Sequence, residues 1–207
     1  MDTVLVDPYR DALHAAVGPV DWAAVQHLRD RTAWSDFEVA AIDEEEFVRR
    51  FWLDPGRGFD REAFSAARHA GYRFVEGMDV LLASLRGRVQ RHLASNYPVW
   101  IEELRLRFAL DELFEGVWAS HHLGVRKPDR TFYTLLLERI AVPAERVLFV
   151  DDRAENCEAA ENAGMHAHHF TGTPALARHL AAAGLGGSGL ASSSSEAVGH
   201  GRGSKSA

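Results

Sequence analysis

The stretch VLFVDDRAENCEAAENAG, Val147–Gly164, carries two patterns in succession. Val147-Leu148-Phe149-Val150 is a continuous apolar run, as a strand buried on both faces requires. It ends in two acids, Asp151-Asp152, and the chain then reads as a helix stopped by Gly164. Adjacent carboxylates at the end of a buried strand repel each other and lose hydration. A divalent cation resolves that conflict, and hard oxygen ligands suit Mg²⁺. The competing reading is a helix N-cap, with Asp152 favouring the dipole of the helix that follows.

Outward from this stretch the same alternation repeats. RVQRHLASNYP reads as a short strand ending in a polar loop, VWIEELRLRFAL as a helix, and LFEGVWAS as a second strand. DRTFYTLLLERIAV is a helix with Asp129 at its N-cap, MHAHHF a last strand and TPALARHLAAAG a last helix. Strands alternating with helices imply βαβ units, hence an α/β fold with a parallel sheet. In such sheets the sites lie beyond the carboxyl ends of the strands. Ser95-Asn96, Ser120 and Asp151-Asp152 fall at those ends.

The first part of the chain is different. Residues 7–85 have helical spacing almost throughout, with breaks such as Asp54-Pro55-Gly56-Arg57-Gly58. DPYRDALHAAV, DWAAVQHLRDRTAW, DEEEFVRRFW and REAFSAARHAGYRFVEGMDVLLASLRG all read as helices. At the other end, residues 184–207 (GLGGSGLASSSSEAVGHGRGSKSA) are too poor in large apolar residues to repay their ordering entropy, and a disordered tail is expected.

The chain has 207 residues, 46% of them hydrophobic, so it can bury a real core. Its net charge of −7 argues against a nucleic-acid binder with a broad basic face, though not against a small local anion site. The single cysteine, Cys157, excludes an internal disulfide framework and fits a reducing, cytoplasmic setting. There is no apolar run of membrane-spanning length and no membrane partner is expected.

Two further motifs are weak when taken singly. A hydroxyl and an amide, Ser95-Asn96, at a strand end can hold an anionic oxygen, but also suit a solvated turn. Lys127, with its backbone restricted by Pro128, can point a charge into a cleft, but also suits a surface. Together, Ser95-Asn96, then Lys127-Pro128-Asp129, then four apolar residues with Asp151-Asp152 and a helix bearing Asn156, resemble the haloacid dehalogenase-like hydrolases, a superfamily dominated by phosphatases. The resemblance covers nearly all of the chain except the tail.

The resemblance implies a Rossmann-like parallel-sheet core at 86–183 and an inserted all-helical cap at 7–85. Residues 1–6 then form a remnant of the family's first motif. That motif is Asp-x-Asp-x-Thr/Val-Leu/Val; Asp2 aligns with its second aspartate and Val4-Leu5 with its last two places. The nucleophilic aspartate falls immediately before Met1. The expected reaction is Mg²⁺-dependent hydrolysis of a small phosphorylated metabolite through an aspartyl-phosphate. By resemblance Asp2 transfers the proton, Ser95 and Asn96 bind the phosphoryl group, and Lys127 neutralises charge. Asp151, Asp152 and Asp2 serve the metal.

Asp2 disfavours a haloacid dehalogenase, because a halide leaving group needs no proton. A phosphomutase and a non-catalytic phospholigand-binding module are the remaining alternatives. The retention of Asp2, Ser95, Lys127 and Asp151 together favours a start assigned one strand too late over such a module. Without that central strand, the sheet is expected to fold poorly or to open a slot for a substitute. A monomer or homodimer is expected.

Several conspicuous residues have plainer readings. His166, His168 and His169 suit a strand at the surface, His121-His122 a loop, and Cys157 small core packing. Trp34, Phe51 and Trp52 suit a packed core better than a substrate pocket.

Overall fold

The computed structural model describes residues 2–185, so the tail at 186–207 lies outside the described residues. The chain begins with strand β1 (Leu5–Val6), followed by helices α1 (Tyr9–Val17), α2 (Trp22–Val25), α3 (Ala33–Glu38), α4 (Glu44–Arg50) and α5 (Arg61–Gly71). Strand β2 (Arg73–Phe74) and helix α6 (Met78–Ser84) follow. The second part alternates: β3 (His92–Ser95), α7 (Ile101–Arg107), α8 (Leu110–Leu113), β4 (Gly116–Ala119), α9 (Ser120–Leu123), α10 (Arg130–Ile140), β5 (Leu148–Asp151), α11 (Ala154–Asn162), β6 (His166–His169) and α12 (Thr173–Ala182).

One stretch corrects the sequence reading. REAFSAARHAGYRFVEGMDVLLASLRG is not one helix: α5 ends at Gly71, and Arg73–Phe74 pairs antiparallel with Leu5–Val6. Gly71 and Gly77 explain the break. Gly77 has φ of +72°, which glycine adopts without strain, and it turns the chain into α6. Gly71 sits where a Cβ would lie 2.3 Å from Pro8 Cβ, so its missing side chain lets the start of α1 approach α5. We expect Gly71→Ala to cost about 1–3 kcal/mol, the usual range for overpacking, read as a lower thermal midpoint. An unchanged midpoint would mean that the two helices slide apart freely.

The helices of the first part enclose an aromatic core. Phe37, Phe47, Phe51, Phe64 and Trp52 are buried, and Trp34 packs against them from the edge. Phe37 and Phe47 stack with centroids 5.1 Å apart. Trp100, from the loop before α7, enters this cluster 5.0 Å from Phe37, and its indole N–H donates to Glu44 Oε2 at 2.9 Å. The first part is thus anchored on the second by a buried ring with its polar edge satisfied.

Strands β3 and β4 pair in parallel, as do β5 and β6, yet β3 and β5 do not pair with each other. Leu93 and Val117 are buried in the large cluster, and Leu148 and Val150 pack against it. Ala94, Trp118 and Ala167 pack against the smaller cluster that buries Phe149, Phe132 and Tyr133. Both pairs therefore alternate between the same two apolar layers, the arrangement of a single sheet interrupted between β3 and β5. Among the described residues, β3 pairs only with β4 and β5 only with β6. Among the described residues, no helix is long and apolar enough to cross a membrane.

Candidate active site

The chemistry-bearing residues gather where β3 and β5 end. Ser95 is the last residue of β3 and Asp151 the last of β5, both buried. Lys127 enters from the loop before α10 and is only 5% exposed. Its ammonium donates to the Ala94 carbonyl at 3.0 Å and to Asp151 Oδ2 at 2.6 Å. One cation thus spans the interruption in the sheet, touching the last turn of each half. The rings of Phe149 and Phe132 lie 5.4 and 5.9 Å from it, adding favourable quadrupoles in a dry setting.

The loop that carries Lys127 is fixed by Asn96. Asn96 Oδ1 accepts the Lys127 N–H at 2.8 Å, and Asn96 Nδ2 donates to the Lys127 carbonyl at 2.9 Å. This two-way clamp makes Asn96 a positioning residue as placed here. The Lys127-Pro128 peptide is cis, and Asp129 caps α10 by accepting the Thr131 N–H at 2.7 Å, as its sequence position predicted.

Asp151 is 3% exposed and has both oxygens engaged. Oδ1 accepts the Arg153 backbone N–H at 3.0 Å and Asn156 Nδ2 at 2.8 Å, while Oδ2 faces Lys127. Burial pushes its pKa up, but the Lys127 charge and these hydrogen bonds outweigh burial and hold it below the ordinary carboxylate value. Asp151 is therefore ionised across the neutral range. Asn156 is in turn fixed by Tyr133, whose hydroxyl donates to the Asn156 carbonyl at 2.8 Å.

Asp2 and Asp152 stand outside this hydrogen-bonded set. Asp2 is exposed and accepts the Asp7 N–H at 2.9 Å; the Asp152 side chain is exposed beside Asp151. Among the described residues no group of three or more His, Cys, Asp or Glu side chains converges on one point. That donor set still fits Mg²⁺. A carboxylate offers about four lone-pair sites, of which Asp151 uses three, and Mg²⁺ commonly takes only one or two carboxylates, with water and phosphate oxygens completing its shell.

His121 and His122, expected in a loop, lie in the short helix α9 that follows β4 directly. His122 pairs with Glu102 at 2.6 Å, and the His121 N–H donates to the Tyr97 carbonyl at 3.2 Å. His166 and His169 are exposed on β6, whereas His168 faces His179 with ring centroids 4.5 Å apart. Cys157 is buried, with its thiol against the Asp151 carbonyl at 3.5 Å. Two groups that hold the site, the Ala94 carbonyl and the Arg153 N–H, are backbone and left no trace in residue type.

The haloacid dehalogenase-like hydrolase family model matches residues 9–164. Flavin mononucleotide hydrolase 1 of Arabidopsis thaliana is 31% identical over 186 residues, covering 89% of this chain and 75% of the relative. Sesquiterpene phosphatase astK of Aspergillus oryzae is 31% identical over 150 residues, covering 71% of this chain and 76% of the relative. A haloacid dehalogenase-family enzyme of Bacteroides thetaiotaomicron, solved as a mutant with magnesium and inorganic phosphate, superposes with a TM-score of 0.66 at 17% identity. It covers 82% of this chain, which covers 89% of it, and shows the shared fold.

Proposed function

The chain belongs to the haloacid dehalogenase-like hydrolase family, and from that premise we propose that it is a Mg²⁺-dependent phosphatase of small phosphomonoesters. The observation that carries this reading is the buried Lys127 ammonium held between Ala94 and Asp151 at the strand ends. A dry, fixed cation there would stabilise charge on a phosphoryl group far better than a solvated one. The names of the two curated relatives, a flavin mononucleotide hydrolase and a sesquiterpene phosphatase, support the same reading.

In this reading Ser95, buried at the end of β3, receives a phosphoryl oxygen, and Lys127 neutralises it. Asn96 keeps the lysine loop in register, and Asn156 does the same for the Asp151 carboxylate. Asp151, with Asp152 beside it, would hold Mg²⁺, which supplies Lewis-acid polarisation of the phosphate. Asp2 is assigned proton transfer to the leaving oxygen.

The test uses the chain extended at its N-terminus by an apolar strand ending in aspartate. Release of inorganic phosphate from p-nitrophenyl phosphate and from flavin mononucleotide is followed with Mg²⁺ and with chelator. We expect turnover with Mg²⁺ only, and a fall of at least about 10²-fold in Asp151→Asn, the scale on which preorganised charge acts. An isomerised sugar phosphate without phosphate release would point to a mutase. Phosphate binding without turnover would overturn the enzymatic reading.

A further inference from the structure

Beside Lys127 lies an open cleft of about 450 Å³, lined by Arg126, Lys127, Pro128, Asp129 and Arg153. Three cations share it in a chain whose net charge is −7. One phosphoryl group requires one of them, and Lys127 already faces the strand ends where the proposed site lies. The two arginines are surplus to that task.

Arg153 is free to turn to a ligand, and Arg126 has one buried ionic partner with hydrogen-bonding capacity to spare. Arg153 pairs with Glu155 on its own turn, and both side chains are about half exposed. Such exposed pairs contribute little and are easily exchanged. Arg126 Nε lies 3.0 Å from Glu38 Oε2, but neither atom has a hydrogen bond of good geometry, and both are buried. Burial pushes the Glu38 carboxyl above its ordinary pKa, with Arg126 offsetting only part of the effect. Asp129, the one acid in the lining, is taken up in capping α10.

We propose that Arg126 and Arg153 form a second anion subsite, so that the preferred substrates carry a second phosphoryl group beyond the one held at Lys127. Planar guanidinium forks match phosphate oxygens bidentately, which a lysine cannot do. This deepens the phosphatase reading and rests on it.

Binding of inorganic phosphate and of pyrophosphate to the full chain is measured by isothermal titration at constant ionic strength. Pyrophosphate is expected to bind about 10-fold more tightly than phosphate, a difference of about 1.4 kcal/mol. Arg153→Gln and Arg126→Gln should each erase most of that advantage while leaving phosphate affinity within about twofold. Arg153→Gln is the safer variant, because the side chain is exposed and its loss strands no buried partner. Phosphate bound in a Lys127-dependent manner, with pyrophosphate no tighter, overturns the subsite alone. An advantage that survives both arginine variants does the same. No phosphate binding at all overturns the phosphatase site and the subsite with it.

Discussion

Lys127→Met is expected to lower the thermal midpoint by roughly 10 °C at neutral pH and to abolish phosphate binding. Removing one partner of a buried pair typically costs about 3–5 kcal/mol, because the other charge is left in a dry site. Here that charge is Asp151, which keeps its hydrogen bonds from Asn156 and the Arg153 N–H but loses the Lys127 ammonium, its one cation at contact distance among the described residues. For a chain of this size each kcal/mol shifts the midpoint by about 2–4 °C. The pH dependence provides a second signature. In the wild type the Asp151 pKa is depressed in the fold. Its contribution is therefore fully present above the ordinary carboxylate pKa of about 3.9 and is lost as pH falls through the folded value. In the variant, burial acts unopposed by Lys127 and raises the folded pKa. Acidification then protonates Asp151 and returns stability, so the deficit narrows between pH 7 and pH 4. Thermal scans at pH 7, 5 and 4 check both statements. A deficit that is absent, or that widens towards pH 4, would show that Lys127 does not neutralise Asp151.

The parts of this architecture that were legible in the sequence are those fixed by local pattern. Val147–Val150 had to be a buried strand because no polar residue interrupts it, and Asp129 had to cap a helix because it follows proline and precedes a helical run. Lys127 illustrates the limit. As one lysine in a loop it looks like surface; only the fold brings it to Asp151 and buries both. The sequence offers Asn96 as a phosphate group's partner; in the fold its amide is used at both ends on the Lys127 backbone, a role that no residue type announces. Trp100 belongs by sequence to the α/β part and by packing to the aromatic core of the helical first part. Glu38 and Arg126 meet across the two parts, so no local pattern could relate them. The break at Arg73–Phe74 was hidden because its two-residue strand is too short to show alternation.

The second large effect concerns the interruption between β3 and β5. Among the described residues each strand is hydrogen-bonded on one side only, while its faces are covered by the same two apolar clusters. Backbone groups along the two open edges are thus held among apolar side chains without a ladder partner, and each such group costs about 1–3 kcal/mol when buried. A parallel strand laid between them would satisfy both edges together. Lys127 sits at the end of this gap, so the strand that fits best ends in a carboxylate. Fusing an apolar strand ending in aspartate ahead of Met1 is therefore expected to raise the thermal midpoint by roughly 10 °C or more, since a gain of several kcal/mol is worth about 2–4 °C each. Amide exchange at Ala94 and Val150 should slow in parallel, because their backbone groups face away from β4 and β6, whereas Leu93 and Phe149 lie on the sides where the Arg91, Val147 and Asp151 carbonyls already bond to Glu115, His166 and Phe170. The same fusion should bring phosphate release above background, and ending the strand in asparagine should keep the added stability while removing the turnover. That separation is the useful outcome, since it assigns the stability to the backbone ladder and the chemistry to one carboxylate. A fusion that leaves both the midpoint and the exchange rates unchanged would mean that β3 and β5 close on each other in solution and leave no room for a strand.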